Sequence, residues 1–214
     1  MSSLVFCTDK NQVFVATDTL ATSPDGSPLM FTSKAFVIPH LQLIICCTGI
    51  QGILGKWFIE INDRIVVRGI DHLNYHTPDI LPDIYRNYKN EHGIPENITS
   101  TIYHFGFSEE EGIIHNYVYR SINNFVSENL PYGVGIKPEC TINYEVQLPI
   151  DLREIMEKQR IIQQTRPKSE KVFIGGKIQA YLMTKSDINI YIWDHFNDYE
   201  LTEKTIYDNF KGKG

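Results

Sequence analysis

Ser2 stands sixteen residues before Asp18 in the stretch that runs from Ser2-Ser3-Leu4-Val5-Phe6 to Val15-Ala16-Thr17-Asp18-Thr19, and this spacing makes the second residue a candidate nucleophile. Removal of Met1 would make Ser2 the N-terminus. Its α-amine, with a pKa near neutrality, could then act as general base for its own hydroxyl. Other candidate chemistries are weaker. His72 and His76 stand four apart with Asp71 and Asp79 nearby, but no glutamate lies between them as in HExxH, and they read as exposed polar residues near a helix start with no metal. Cys7 sits mid-hairpin among apolar residues with no adjacent base and reads as a core thiol. Gly133-Val134-Gly135-Ile136-Lys137-Pro138 lacks the last glycine of GxGxxG and precedes no helix, so no dinucleotide site is expected. Asn97-Ile98-Thr99 is a glycosylation sequon without any sign of secretion.

The elements that must position Ser2 follow from composition and periodicity. At 214 residues, one domain over residues 1–214 is expected. With 42% apolar and 21% charged residues the chain is neither disordered nor collagen-like, and no apolar run reaches the length of a membrane span. Residues 1–20 carry no basic segment ahead of an apolar run, so no secretory signal is expected and the cytoplasm is the default location. Cys7, Cys46, Cys47 and Cys140 form no CxxC pair, and the adjacent two are expected on opposite faces of a strand as reduced thiols. The net charge of −6 argues against nucleic-acid binding. The tail Lys211-Gly212-Lys213-Gly214 is too short to reverse that and is expected to fray.

Leu4 to Cys7 and Val13 to Ala16 flank Asp9-Lys10-Asn11-Gln12 and read as a hairpin that places Ser2 at the start of a strand. A loop over Thr22 to Pro28 leads to a second pair, Lys34 to Ile38 and Leu41 to Cys47, turning at Pro39-His40. From Gly49 the period becomes helical, with Ile50, Ile53, Leu54, Trp57, Phe58, Ile61 and Ile65 on one stripe. A second helix is expected from Pro78 to Asn90, with Pro82 tolerable only in its first turn and Gly93 and Pro95 as its stop. Thr99 to Phe107 and Gly112 to Tyr119 form another hairpin with Ser108-Glu109-Glu110-Glu111 as a solvated tip, continued by strand-like Asn124 to Val126 and Tyr132 to Ile136. Asp151 to Gln164 is a charged amphipathic helix with Leu152, Ile155, Met156 and Ile162 inward, ended by Pro167. Lys177 to Thr184 and Ile188 to Trp193 close the sheet, and the only linker, Thr165 to Lys171, is too short to separate domains.

With these elements in view, the first fifty residues resemble a proteasome β-subunit, or the related bacterial proteasome-like peptidases, of the N-terminal nucleophile hydrolases. Ala16-Thr17-Asp18-Thr19-Leu20-Ala21-Thr22 resembles that family's signature at the end of its second strand. Asp18 and Lys34 stand at the family's spacing from the nucleophile, and Cys47-Thr48-Gly49 resembles its oxyanion-hole turn. Ile174-Gly175-Gly176-Lys177 resembles the start of its closing strand pair. The chain departs from the family in several places: Ser2 stands where the family usually has Thr, Val134 stands where it places a serine between two glycines, and Lys171-Val172-Phe173-Ile174 replaces an expected Asp and Ser. Residues 136–149 replace a family helix.

The resemblance implies an α+β fold, an αββα four-layer sandwich of two mainly antiparallel sheets whose first and last strands meet around Ser2. It implies a catalytic set of Ser2, Asp18, Lys34 and Gly49, with no cofactor. A lysine cation lowers the pKa of both hydroxyl and amine, a buried lysine needs a counter-charge such as Asp18, and the Gly49 N–H at a helix start would meet the oxyanion. The reading is an N-terminal serine amidohydrolase or peptidase acting on a peptide or amide through an acyl-enzyme. Lys34→Ala is expected to abolish acylation and leave folding intact. The competing reading is a catalytically silent scaffold or interaction subunit. Self-assembly into a ring or other homo-oligomer follows from the resemblance alone, with the helix from Pro78 to Asn90 as one contact surface; neither nucleic acid nor membrane is an expected partner.

Overall fold

The computed structural model describes residues 3–23, 25–168 and 170–211. Ser2, and Gly212 to Gly214 of the expected frayed tail, lie outside the described residues. The first hairpin forms as expected, from β1 (Leu4–Thr8) and β2 (Gln12–Asp18), with Leu4 opposite Thr17. Asp9 Oδ1 closes its turn by accepting the N–H groups of Asn11 at 2.7 Å and Gln12 at 3.0 Å, the local bonding that suits Asp to turns. The expected loop from Thr22 is the tip of a small ladder between β3 (Leu20–Thr22) and β4 (Pro28–Phe31). Its tip is held by Ser23 and Ser27, which bond the Asp25 carboxylate and hold that group down at about 2.

Next come β5 (Ala35–Ile38), β6 (Leu43–Thr48) and α1 (Gln51–Asp63). Helix α2 (Ile70–His92) starts eight residues before the expected Pro78, and keeps both Pro78 and Pro82 inside it. Two contacts explain the extension. The Glu109 carboxylate accepts the N–H groups of Asp71 at 3.0 Å and His72 at 2.8 Å, which completes the first turn, and Ile70 and Leu73 are buried. Glu109 is therefore a helix cap, whereas the sequence reading left it in a solvated tip.

The chain continues with β7 (Thr101–Phe107), β8 (Ile114–Arg120), β9 (Ser127–Asn129) and β10 (Gly133–Lys137). The strand expected over Asn124 to Val126 does not form, because Asn124 and Phe125 take left-handed backbone at φ 56 and 59 and Phe125 turns into the core. Helix α3 (Leu152–Gln164), β11 (Lys177–Thr184) and β12 (Ile188–His195) match expectation closely. A last helix, α4 (Tyr199–Lys211), was not anticipated.

Every ladder is antiparallel. One five-stranded sheet runs β10-β1-β2-β11-β12, a second runs β5-β6-β7-β8-β9, and β3-β4 is a separate pair. The first and last strands do not meet as expected: β2 and β11 stand between β1 and β12. Three apolar clusters follow. Leu4, Phe6, Val15, Ile44, Phe105 and Tyr181 join the two large sheets. Cys47, Ile53, Trp57 and Leu73 lie between the second sheet and α1 and α2. Val5, Ala16, Ile155, Met156 and Ile178 lie between the first sheet and α3. Cys46 and Cys47 enter different clusters, as expected of adjacent strand residues. The model is thus α+β, and among the described residues no helix is long and apolar enough to cross a membrane.

Candidate functional site

Asp18 ends β2 and is fully buried at 0% exposure, while Lys34 directly precedes β5 and is 2% exposed. The two sequence-selected residues meet: Lys34 Nζ donates to Asp18 Oδ1 at 2.8 Å. The same oxygen accepts the Ser3 backbone N–H at 2.9 Å, and Oδ2 accepts the Gly175 N–H at 3.1 Å. A buried carboxylate is costly unless charged and polar donors surround it, and three donors do so here. One of those donors belongs to the residue that follows Ser2 in the chain.

Gly175 is held against this point by the backbone. Its carbonyl accepts the N–H groups of Thr19 at 3.3 Å and Leu20 at 3.1 Å, and Lys177 N–H reaches Thr19 Oγ1 at 2.8 Å. Gly176 adopts φ 81, where a side chain would also strike Thr19 Oγ1 at 2.5 Å, so glycine is required for this approach. Lys171 to Ile174, which replace the polar residues expected there, serve packing: Val172 and Ile174 join the cluster under α3.

Ser3 Oγ donates to Gln159 Oε1 at 2.5 Å, and Gln159 Nε2 donates to the Pro138 carbonyl at 2.7 Å. Gln159 is fully buried, so one amide from α3 fixes both the entry to β1 and the exit from β10. The sequence reading missed this residue. A signal existed, since Gln159 and Gln163 continue the Leu152, Ile155, Met156 stripe at helical spacing, and both are buried where Ile162 was expected. Gln163 Oε1 accepts the Val172 N–H at 2.9 Å.

Val134 does not stand beside this cluster. It pairs with Cys7, whereas Leu4 at the near end of β1 pairs with Lys137. Gly49 takes φ 109 in the turn between β6 and α1, where a side chain would strike the Thr99 carbonyl at 2.3 Å. The start of α1 is tied to the lysine's neighbour, because Gln51 Nε2 donates to the Ser33 carbonyl at 3.1 Å. Cys46 and Cys47 just before the turn are no nucleophiles: burial pushes the Cys47 thiol up to about 12 and holds Cys46 well above the usual thiol range. Burial also raises the partly covered Cys7 thiol, with help from Asp9. His72 and His76 lie ring to ring, with their Nε2 atoms 3.1 Å apart, on α2 and not at this site.

No family model matches the chain, and no curated protein does. Solved structures of similar fold do exist. An Anbu (ancestral beta-subunit) from Yersinia bercovieri is 10% identical with a TM-score of 0.59, the match covering 99% of this chain and 95% of that one. An Anbu mutant from Hyphomicrobium sp. strain MC1 is 10% identical at TM-score 0.61, over 99% and 96% of the two chains. A structure described as the helical assembly of the Anbu complex from Pseudomonas aeruginosa is 12% identical at TM-score 0.61, over 98% and 93%. These matches correct the family likeness drawn from the sequence. The neighbours are Anbu proteins, proteasome-like but distinct from proteasome β-subunits, and at such identities the likeness is one of fold alone.

Proposed function

We propose that the chain is an N-terminal serine amidohydrolase, acting on peptide or other amide bonds, in which Ser2 becomes the nucleophile after removal of Met1. The Ser2 hydroxyl attacks the amide carbonyl and its α-amine takes the proton. The same amine then returns a proton to the leaving nitrogen as the C–N bond breaks, and water hydrolyses the resulting acyl-serine by the reverse roles. Lys34 lowers the pKa of hydroxyl and amine by its charge, Asp18 fixes Lys34 as its counter-charge, and the Gly49 N–H receives the oxyanion. One observation carries the reading. Asp18, the buried partner of Lys34, accepts the backbone N–H of Ser3, the residue that follows Ser2 in the sequence.

The test begins with the intact mass and N-terminal sequence of protein expressed without any tag ahead of Met1. The expected chain starts at Ser2 and takes a serine-directed fluorophosphonate on that residue, with labelling lost in Ser2→Ala. A correctly processed chain that stays unlabelled overturns the mechanism, and retention of Met1 removes its base.

We also infer that the chain assembles with copies of itself, as a cytoplasmic subunit of αββα layering in one domain. This second reading is supported by the assembled state named for the Pseudomonas aeruginosa structure and by the three clusters that separate two sheets and two helical sides. It holds whether or not Ser2 is active, and so retains the silent-scaffold alternative.

A further inference from the structure

Strand β12 has the sequence Ile188-Asn189-Ile190-Tyr191-Ile192-Trp193-Asp194-His195 and forms the outer edge of its five-stranded sheet. Among the described residues only β11 pairs with it. Ile188, Ile190 and Ile192 stand opposite Met183, Tyr181 and Gln179. Met183 and Tyr181 belong to the cluster between the two large sheets, so the isoleucines prolong that apolar face beyond its cover. Tyr191 stands opposite Ala180, which belongs to the cluster under α3, and so prolongs the other face. Trp193 falls at a register shift, between Ile192 opposite Gln179 and Asp194 opposite Ile178. The outcome is a strand that is apolar on both faces: Ile190 is 54% exposed, Tyr191 41%, Ile192 57% and Trp193 44%.

Exposed edge strands are normally blunted by lysine, proline or inward charge, because their free N–H and C=O groups recruit another strand. The span from Ile188 to Trp193 contains none of these. A helix or loop laid over one face would leave the other face and the free backbone groups uncovered, whereas an added strand covers all three at once.

We propose that β12 pairs antiparallel with β12 of a second copy of this chain, joining two five-stranded sheets across a two-fold axis centred on Tyr191. This rests on the self-assembly reading given above and specifies the contact. The register follows from symmetry and charge. Antiparallel pairing of a strand with its own copy in one sheet requires a two-fold axis perpendicular to the sheet, so each residue meets one on the same face. An axis at Tyr191 sets Ile190 against Ile192 twice and Tyr191 against itself, and, with the extra residue at the register shift, Asp194 against Asn189. Moving the axis to Ile190 sets Asp194 against the like-charged Asp187, and moving it to Ile192 sets Asp194 against Tyr191. With the axis at Tyr191, Asp194 lies at the end of the ladder, where it keeps its Arg153 partner at 2.5 Å.

The test uses the full chain in three forms and two readouts. Tyr191→Cys is treated with a short bis-maleimide beside Ile59→Cys, an exposed α1 position, and the mass in solution of the wild type is compared with that of Ile190→Lys/Ile192→Lys by sedimentation velocity. The expected result is covalent dimer from Tyr191→Cys at least several-fold above the Ile59→Cys control, and a mass at least two-fold lower in the double-lysine variant. An assembled wild type whose mass survives the lysines, and whose Tyr191→Cys form cross-links no better than the control, overturns the β12 contact and leaves self-assembly standing. A wild type that is monomeric at every concentration overturns both.

Discussion

Lys34 and Asp18 carry opposite charges in a place that water does not reach, and this changes what a substitution there should do. The burial of both partners, 2% and 0% exposed, weighs against intact folding in Lys34→Ala, because it leaves the Asp18 carboxylate with only the Ser3 and Gly175 N–H groups. Lys34→Ala should cost about 3–5 kcal/mol in urea denaturation. Lys34→Met combined with Asp18→Asn should recover most of that loss, since no lone charge remains; equal instability of both variants would show that the pair is not the cause. His104 gives the corresponding pH test. Trp57 Nε1 donates to its Nε2 at 2.8 Å, so the ring proton sits on Nδ1, which is buried with no partner among the described residues. Burial pulls this imidazole down to about 3. The folded pKa is therefore depressed below the unfolded value of about 6.5, so the unfolded chain binds the proton first and stability falls as pH drops from about 6.5 towards 3. His104→Gln, which keeps an acceptor for Trp57, should flatten stability-versus-pH in that window by up to about 1.4 kcal/mol per unit; an unchanged slope would refute the assignment.

At the scale of elements, the cap on α2 is the least expected feature and the easiest to test. Glu109, from the β7–β8 connection, completes the first turn of a helix that begins 39 residues earlier in the chain. Glu109→Ala should cost about 1 kcal/mol and speed amide exchange over residues 70–74, while residues 84–90 keep their protection; uniform loss along α2 would mean the carboxylate does more than cap. This cap also explains what was legible beforehand. Local signals located β1, β2, β7, β8, β11 and α3, because alternation, helical spacing and turn residues act within a few positions. The pairing of Asp18 with Lys34 was legible only through the resemblance, as the spacing of both residues from Ser2. The true start of α2, the buried role of Gln159 and the Gly175 contact were not, because their partners lie 37 to 157 residues away in sequence. Helix α4 escaped for a different reason: only Ile206 of its residues is buried, so it carries little apolar stripe to read.

Across the whole molecule, the two large sheets share one cluster built from the beginning, middle and end of the chain: Leu4 and Val15, Ile44 and Phe105, Tyr181 and Met183. A hydrogen bond from Tyr181 Oη to the Ala35 carbonyl at 2.8 Å ties the same sheets together. Neither sheet can bury its inner face alone, so a single cooperative unit is the physical expectation, and its contacts are mostly non-local. Phe105 tests this because it is fully buried on the second sheet and packs on Phe6 of the first, with ring centroids 5.0 Å apart. Phe105→Ala should cost about 3–5 kcal/mol. The informative quantity is where the cost appears. If the chain is one unit, amide exchange monitored by mass spectrometry in β2 and in β7 should accelerate together, by the same factor and with one urea midpoint. If β7 loosens while β2 keeps wild-type protection, the sheets fold separately, and the reading of one domain over residues 1–214 fails. That outcome would also bear on the site, because Asp18 stands on the first sheet and Lys34 at the head of the second. A molecule whose sheets parted independently would hold the 2.8 Å ion pair only part of the time. Joint loss of protection would instead mean that the same apolar contact that holds the sheets together also holds the charges in register.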